Sequence, residues 1–425
     1  MQKSHWWSRA LIMALTSTVL AQTQASAPWT WEKVRERFEQ NNPTLQADKL
    51  NVDESKAQEI TAYLRPNPTL SLSADGTQIA PQRGVWQPFP GTFESSGISY
   101  LHERQHKREL RLESASKGFL IAELSHADLE RTLLFNLRAA FVSALQAKTV
   151  FQLAKDNLAY YDHVLQISRD RFNAGDIAQI DLDRLELQRV DYESDLQAAL
   201  ENLETAKIQL LTLLNDRTPV EQFDVTGPYD FDDRLLPRDE FRKAALGTRP
   251  DLKAAVEAVD KSQTDHKLAI ANGSSDPTFG AWYTHNSSNN NPFGVNTLGV
   301  SVSIPIRIFD RNQGEKLRTQ LEVRRNERLR DAVEAGVLGD VDSSYAALEN
   351  NLTLLRPYKQ KYLQQATRVR DAILFAYQHG GASLLDFLNV QSEYRSVQLR
   401  YINLVGSYLT SASQLNLAVG REVLP

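Results

Sequence analysis

The chain has 425 residues, contains no cysteine and carries a formal net charge of −5 at neutral pH. The lack of cysteine excludes disulfide bonds, thiolate metal sites and a lipid-modified N-terminal cysteine. The mildly acidic balance argues against nucleic acid as a partner, because nucleic-acid binding usually requires a basic patch.

The N-terminus has the layout of a secretory signal peptide. Lys3 and Arg9 precede the apolar run 10–21, which is too short to span a bilayer, since a spanning helix needs about 20 residues. We predict a signal peptide over residues 1–21, with cleavage possible as late as residue 27. No later stretch suits a transmembrane helix, so membrane contact would require strands closed into a barrel.

The rest of the chain contains an internal duplication. Four segments of the first half have counterparts in the second: 42–47 with 249–254, 67–72 with 276–281, 96–100 with 298–302, and 171–182 with 376–387. The offsets are 207, 209, 202 and 205 residues, so order and spacing are kept along the whole chain. We therefore predict two copies of one unit, not the separate globular domains that the length alone would suggest.

Each unit is predicted to contain a helix, two short strands, a very long helix, a glycine turn and a shorter returning helix. The first unit, 28–220, has helices at about 31–65, 104–172 and 179–215 and strands at about 68–75 and 93–102. A connecting equatorial segment, 221–238, leads to the second unit, 239–425. That unit has helices at about 239–272, 311–377 and 383–419 and strands at about 277–285 and 297–305.

The strand predictions rest on alternation with a period of two residues. Leu298, Val300 and Val302 alternate with small or hydroxyl-bearing residues, as expected for a strand between lipid and water. Aromatic residues at strand positions are predicted to form an interfacial girdle, namely Phe93, Tyr100, Trp282 and Tyr283. Edge hairpins of a soluble α+β protein would show the same alternation.

The two long helices exceed what a globular core requires. Each covers roughly 70 residues and would reach about 100 Å at a rise of about 1.5 Å per residue. Apolar residues recur at helical spacing, which predicts helix-on-helix packing, as at Leu133, Leu137, Phe141 and Leu145. Four strands cannot close a membrane barrel, because the smallest known barrels have about eight. Several copies must therefore combine, and the strand count alone allows three copies or four.

Three motifs resemble those of the TolC-like outer-membrane factors. They are Pro305-Ile-Arg-Ile-Phe-Asp-Arg-Asn-Gln-Gly314, Phe172-x-x-Gly175…Asp181 and Tyr377-x-x-Gly380…Asp386. Within that family the chain is similar to the CzcC-like branch that works with heavy-metal pumps, and the likeness covers essentially the whole mature chain. The first half departs from the pattern at Gln105-His106-Lys107-Arg108, which lacks the usual glycine before its Lys–Arg pair.

The resemblance implies a TolC-like fold, an α+β membrane protein. Its homotrimer would form a 12-stranded outer-membrane β-barrel continued by a long periplasmic α-helical barrel. The implied location is the outer membrane of a Gram-negative bacterium, extending into the periplasm. The implied partners are outer-membrane lipid, a periplasmic adaptor protein and an inner-membrane pump of the resistance-nodulation-division (RND) type. The expected function is a passive conduit for heavy-metal cations, with no enzymatic step, no cofactor and no resident metal.

The resemblance also assigns roles to individual residues. Asp386 and Asn389 are expected at the pore gate, where three copies of Asp386 would raise one another's pKa and favour cations. The periplasmic tip, where the adaptor binds, is expected to comprise Phe172, Gly175, Asp181, Leu182, Tyr377, Gly380 and Leu385. The strand-to-helix joint is expected at Pro305, Asp310, Asn312 and Gly314. Asp386 and Asp181 also suit capping of the returning helices.

Other interpretations compete with a metal-exporting conduit. His102 and His106 have the i, i+4 spacing of metal ligands, but a zinc site needs a third and a fourth ligand, so no metal site is predicted. The same conduit could serve organic compounds or a polypeptide. A soluble periplasmic coiled-coil scaffold or adaptor would share the helices without a membrane section.

Overall fold

The computed structural model describes residues 27–89, 92–286 and 295–424, so the predicted signal peptide lies outside the described residues. The elements of the first half are α1 (Trp31–Asn41), α2 (Pro43–Tyr63), β1 (Thr69–Asp75), β2 (Phe93–Leu101), α3 (Lys107–Asn173) and α4 (Gln179–Leu213). Those of the second half are α5 (Arg238–Thr248), α6 (Pro250–Asn272), β3 (Thr278–Asn286), β4 (Asn296–Ser303), α7 (Gln313–Pro357), α8 (Leu363–Gln378) and α9 (Leu384–Val419). The second half thus repeats the element order of the first.

The helices predicted at about 31–65 and 239–272 are each two helices, which corrects the prediction. Pro43 begins α2 and Pro250 begins α6, and the residues before them, Asn42 and Arg249, have ψ angles of 117° and 120°. A proline ring disfavours helical backbone in the preceding residue but fits the first position of a new helix. The duplicated prolines therefore break the chain at matching points in both halves.

The helix predicted at about 311–377 is also interrupted. A π-helical turn (Tyr358–Tyr362) separates α7 from α8 and directly follows Pro357. Proline has no N–H for the bond to the carbonyl four residues earlier, and a wider turn accommodates the loss. The corresponding helix of the first half, α3, is continuous over 67 residues.

Apolar side chains fill three separate clusters along the helices. One packs α1 and α4 on α3, and it buries Leu137, Phe141 and Leu145 while Leu133 packs at its edge. This confirms that the predicted stripe serves helix packing. A second cluster packs α5, α7 and α9, and a third lies at the glycine turns.

The segment between the halves contacts both of them. After a short 3₁₀ turn (Val220–Gln222), Phe223 and Val225 are buried in the first cluster, and Val225 pairs with Trp29. Farther along, the Tyr229 hydroxyl donates to the carbonyl of Ile402 in α9, at 2.8 Å. The segment therefore joins the apolar cluster of the first half to the last helix.

The strands form one antiparallel sheet in the order β1-β2-β3-β4. The central pair is β2 with β3, so the two halves meet within the sheet. Among the described residues, no helix combines the length and apolar character needed to cross a membrane.

The register gives the sheet two chemically different faces, because directly paired residues of neighbouring strands lie on the same side. The apolar face holds Leu70, Leu72, Ile98, Tyr100, Phe279, Ala281, Tyr283, Leu298, Val300 and Val302, with Ser96 among them. Its last row, at the end where the hairpin loops lie, holds Ala74, Glu94, His285 and Asn296. The hydroxyl face holds Thr69, Ser71, Ser73, Ser95, Ser99, Thr284, Thr297 and Ser301, with Gly97, Gly280, Trp282 and Gly299 between them. It continues to Asp75, Phe93 and Asn286 at one end and to Leu101, Thr278 and Ser303 at the other.

The predicted aromatic girdle is divided between these faces. Tyr100 and Tyr283 lie on the apolar face, whereas Phe93 and Trp282 lie on the hydroxyl face. Successive residues of a strand point to opposite sides, so Trp282 and Tyr283 cannot share one surface. The four residues therefore do not form one girdle on a single face, and the prediction was wrong for the set as a whole.

Candidate functional site

The first helical hairpin ends in a glycine turn. α3 ends at Asn173, and Gly175 follows with a φ angle of 82°, in the left-handed region. The Asp176 amide donates to the Arg171 carbonyl at 2.8 Å. This bond pattern is the Schellman motif, whose left-handed position favours glycine.

The second hairpin ends in the same way. α8 ends at Gln378, and Gly380 follows with a φ angle of 75°. The amide of Gly381 donates to the carbonyl of Ala376 at 2.7 Å. Both glycines therefore stand where a helix must end and the chain must reverse.

The two turns share one apolar cluster, called the tip cluster here. Its buried members are Tyr161, Val164, Leu165, Leu182, Leu185, Tyr192, Tyr377, Leu384 and Phe387. The Tyr377 ring stacks on Phe387 with ring centres 5.1 Å apart. From the first hairpin, the Arg171 guanidinium lies 5.4 Å from the centre of the Tyr377 ring, so it joins the two hairpins.

The residues predicted at the tip divide into buried and exposed groups. Leu182 and Tyr377 are buried in the tip cluster, and Phe172 packs against its edge. Leu385, by contrast, is 65 % exposed, and Asp181 is partly exposed at the start of α4. The structure therefore brings three of these side chains together and leaves Leu385 on the surface.

Asp386 belongs to a capping box at the start of α9. Its amide donates to Ser383 Oγ at 3.1 Å, and its Oδ2 accepts from the Ser383 amide at 3.2 Å. Hydrogen bonds from the hydroxyl and amide of Ser383 hold the pKa of Asp386 below its ordinary value. Asn389 follows about one turn later and is also exposed. Asp386 is thus an ionised, exposed carboxylate at neutral pH.

The capping role expected for Asp181 is wrong. α4 begins after Ala178, whose methyl side chain cannot accept a hydrogen bond, and no side-chain cap bond forms at this helix start. Asp181 lies in the first turn of α4, where its carboxylate interacts favourably with the helix dipole but forms no capping hydrogen bond. The two hairpins therefore start their returning helices differently.

An arginine of α9 links the hairpins beyond the turns. Arg395 donates to Asp195 of α4 at 2.8 Å and lies 4.2 Å from the centre of the Tyr192 ring. The Arg395 side chain is 20 % exposed, whereas that of Asp195 is 62 % exposed. Sequence reasoning did not single out this arginine.

A second arginine was missed in the same region. Arg370 of α8 lies between the rings of Tyr160 and Tyr394, 5.1 and 4.3 Å from their centres. The sequence signal is the tyrosines that the neighbouring helices carry, Tyr160 on α3 and Tyr394 on α9. Such amphipathic rings accept a guanidinium on their faces.

The strand-to-helix joint of the second half is held by polar side chains. After β4 the chain passes Pro305 without regular structure, and Asp310 Oδ1 accepts from the Asn312 amide at 2.8 Å. Asn312 has a φ angle of 62°, and its Nδ2 donates to the Ala269 carbonyl at 2.7 Å. Gly314 lies in the first turn of α7 with open space around it. Asp310 and Asn312 therefore fix the entry into α7.

The joint of the first half is built differently. Two successive residues, Gln105 and His106, have left-handed backbones, with φ angles of 61° and 54°. Lys107 is buried, and its Nζ donates to the Ser274 carbonyl at 3.0 Å and to Asp276 Oδ2 at 2.6 Å. The segment that lacked the usual glycine thus binds the second half through its lysine.

His102 and His106, which have the spacing of metal ligands, lie in different environments. His102 packs edge-on toward Phe279, with ring centres 6.5 Å apart, and His106 is an exposed residue 3.9 Å from Glu109. In the part of the chain that the structure describes, no three histidine, aspartate or glutamate side chains gather as a metal-ligand group.

Comparison with known proteins gives consistent matches. The profile of the family described as "Outer membrane efflux protein" matches residues 34–216 and 242–421, one segment in each half. The chain is 22 % identical to the cobalt-zinc-cadmium resistance protein CzcC of Cupriavidus metallidurans over 404 residues, which covers 94 % of this chain and 91 % of CzcC. It is 22 % identical to the outer membrane protein TolC of Escherichia coli over 74 % of this chain and 66 % of TolC. Its fold matches the crystal structure of CusC with a TM-score of 0.78 at 17 % identity, over 92 % of both chains.

Proposed function

Since the chain belongs to the outer membrane efflux protein family, we propose that it is the outer-membrane conduit of a tripartite pump that exports heavy-metal cations. The protein is an outer-membrane efflux channel that extends into the periplasm, so a soluble scaffold is not proposed. The likeness to the cobalt-zinc-cadmium resistance protein, which extends over 94 % of this chain, carries the proposal for the cargo.

The proposed working unit is a homotrimer. One chain supplies four strands, and β1 and β4 stand at the edges of its sheet with backbone groups available for pairing. Three copies would supply 12 strands, enough for a barrel with an aqueous lumen. The apolar face then meets outer-membrane lipid, and the hydroxyl face lines the water.

The helices would continue this channel across the periplasm. α3 alone has 67 residues, or about 100 Å at about 1.5 Å per residue. Its glycine turn lies beside that of the second hairpin at one end of the molecule, away from the sheet. We assign this end to the contact with a periplasmic adaptor protein, which connects the conduit to an inner-membrane RND pump.

The tip offers a chemically suitable gate and docking point. Leu385 is an exposed apolar side chain at the start of α9, and the neighbouring Asp386 is ionised. Three copies of Asp386 and Asn389 around the channel axis would form a constriction that attracts cations, while Leu385 would contact the adaptor. In this proposal the conduit performs no covalent step, and the pump supplies the energy for export.

A deletion strain tests this function. We expect loss of the protein to lower the tolerated concentrations of Co²⁺, Zn²⁺ and Cd²⁺ and to raise cell-associated metal, with recovery when the wild-type gene is returned. Tolerance of dyes and detergents measured in the same strains serves as the control. Unchanged metal tolerance would overturn the metal assignment.

Export of organic compounds or of a polypeptide by the same conduit is the second candidate. This candidate rests on the likeness to the TolC protein, which covers 74 % of this chain. Sensitivity to dyes and detergents without metal sensitivity would favour this candidate in the same experiment. Crosslinking of the purified protein tests the trimer independently of the cargo.

A further inference from the structure

Trp282 is the one large side chain among the small residues at the middle of the hydroxyl face. Its partners across the strands are Gly97 on β2 and Gly299 on β4. A Cβ atom at Gly299 would collide with the indole ring, and a Cβ atom at Gly97 would lie 3.1 Å from Trp282 Cβ. The indole therefore lies over Gly299, in space that only glycine leaves free.

The surroundings of Trp282 are neutral. On the hydroxyl face, three neighbouring rows of paired residues run across the four strands and begin at Thr69, Ser71 and Ser73 of β1. These rows carry hydroxyl groups, glycines and the indole of Trp282, without a charged side chain. Trp282 is 38 % exposed, so part of its ring stays open to the space beside the sheet. A cation passing this part of the face would meet hydroxyl groups and the indole ring.

The face of an indole attracts organic cations. Tryptophan is the best aromatic partner for such ions, and quaternary ammonium groups are the usual ligands. A strongly hydrated metal dication keeps its water shell and gains little from the ring. The wall around Trp282 should therefore distinguish these two kinds of cation by contact, although these three rows carry no charge.

We propose that Trp282 forms an aromatic contact site in the channel wall, one in each subunit, at which permeating organic cations bind transiently by cation–π contact. The proposal rests on the proposed conduit, because only a closed lumen makes the hydroxyl face an inner wall. Under this proposal, Trp282 affects how long a solute stays in the channel, independently of the gate at the tip.

Single-cysteine variants test on which side the wall residues lie, because the chain has no cysteine of its own. Trp282→Cys and Ser301→Cys should react with a membrane-impermeant thiol reagent in proteoliposomes. Tyr283→Cys and Val300→Cys, on the apolar face, should stay unreactive because lipid covers them. The reverse pattern would overturn both the inner position of Trp282 and the proposed conduit.

Channel block tests the contact itself. In planar bilayers, Trp282→Ala should weaken block by benzyltrimethylammonium by about two- to fivefold, the range of an exposed cation–π contact. Trp282→Leu keeps an apolar cover over Gly299 without a π face and should have the same effect, so it decides the outcome if the alanine variant does not assemble. Tyr283→Ala should leave this block unchanged, and Zn²⁺ block should not respond to Trp282→Leu. Unaltered organic-cation block in Trp282→Leu, with the labelling pattern intact, would overturn the contact site and leave the conduit standing.

Discussion

Lys107 Nζ lies 2.6 Å from Asp276 Oδ2, and this ion pair joins the first long helix to the loop before β3. The lysine side chain is 4 % exposed and the aspartate side chain 15 %. The other oxygen of Asp276 accepts from the Arg104 amide at 2.9 Å. These bonds therefore connect the two halves of the duplicated chain at the joint between the strands and the helices.

Removal of one partner of this pair should destabilise the protein strongly. Asp276→Asn leaves the Lys107 charge buried without its counter-ion, which costs about 3–5 kcal/mol. Thermal unfolding in detergent, followed by the helical circular dichroism signal, measures the change. Asp331→Asn is the matched control, because its pairs with Arg330 and Arg328 are exposed and should matter by less than about 1 kcal/mol. Equal losses in both variants would contradict the special role of the buried pair.

The same pair predicts how stability depends on pH. Burial alone would raise the pKa of Asp276, but hydrogen bonds from Lys107 and from the Arg104 amide hold it below its ordinary value. A lowered folded pKa means that the stabilisation is complete above the unfolded value, about 3.9, and is lost as pH falls through the folded value. The stability difference between wild type and Asp276→Asn should therefore be constant from pH 7 to about pH 5 and shrink at lower pH. A difference that grows on acidification would show the opposite sign of linkage.

Charge and capping can be separated at the proposed gate. Asp386→Asn removes the charge but keeps an oxygen that can accept from Ser383, so it should weaken channel block by Zn²⁺ in planar bilayers and raise conductance in its presence. Ser383→Ala removes the other half of the capping box and should cost about 1 kcal/mol of stability while Zn²⁺ block stays unchanged. Weakened block in Ser383→Ala and not in Asp386→Asn would rule out the charge as the gate element.

The tip glycines should be sensitive to substitution by alanine. Gly175 and Gly380 have φ angles of 82° and 75°, where a Cβ atom costs about 1–2 kcal/mol. Gly336 is the control, because it lies inside α7 with open space around it. Gly336→Ala should stabilise the protein by about 0.5–1 kcal/mol, the opposite sign to the tip variants. Thermal unfolding of the three variants tests the assignment. Stabilisation by Gly175→Ala would contradict the left-handed turn.

The π-helical turn should depend on Pro357. Pro357→Ala restores the missing N–H donor, so the ladder of α7 can continue and the wide turn at Tyr358–Tyr362 should tighten. Amide hydrogen exchange over residues 358–362 should slow, whereas exchange in the continuous helix α3 should stay the same. Faster exchange in the variant would mean that the turn has another cause.

Sequence patterns predicted the elements that depend on local chemistry. The glycine turns could be located because a helix end with a left-handed residue selects glycine at Gly175 and Gly380. The helix breaks before Pro43 and Pro250 were missed, although both prolines are visible in the sequence. Proline at the first position of a helix is well accommodated, and that is why two short helices resemble one long helix in sequence.

Contacts between distant segments could not be predicted in this way. Lys107 stood out only as a departure from a motif, and nothing near it in sequence indicates Asp276, 169 residues away. The face on which Trp282 lies depends on register, which a run of mixed residues does not fix by itself. Arg395 meets Tyr192 only after two hairpins have packed side by side.

The open edges of the four-stranded sheet have a genetic consequence. In the proposed trimer, β4 of each copy completes the sheet of the next, so no copy can finish its own wall. A subunit with an altered sheet would assemble into mixed trimers with wild-type subunits. Each mixed trimer would then have a defective barrel wall. Sheet mutations that still permit export to the membrane should therefore be dominant when expressed beside the wild-type gene, while null alleles should be recessive.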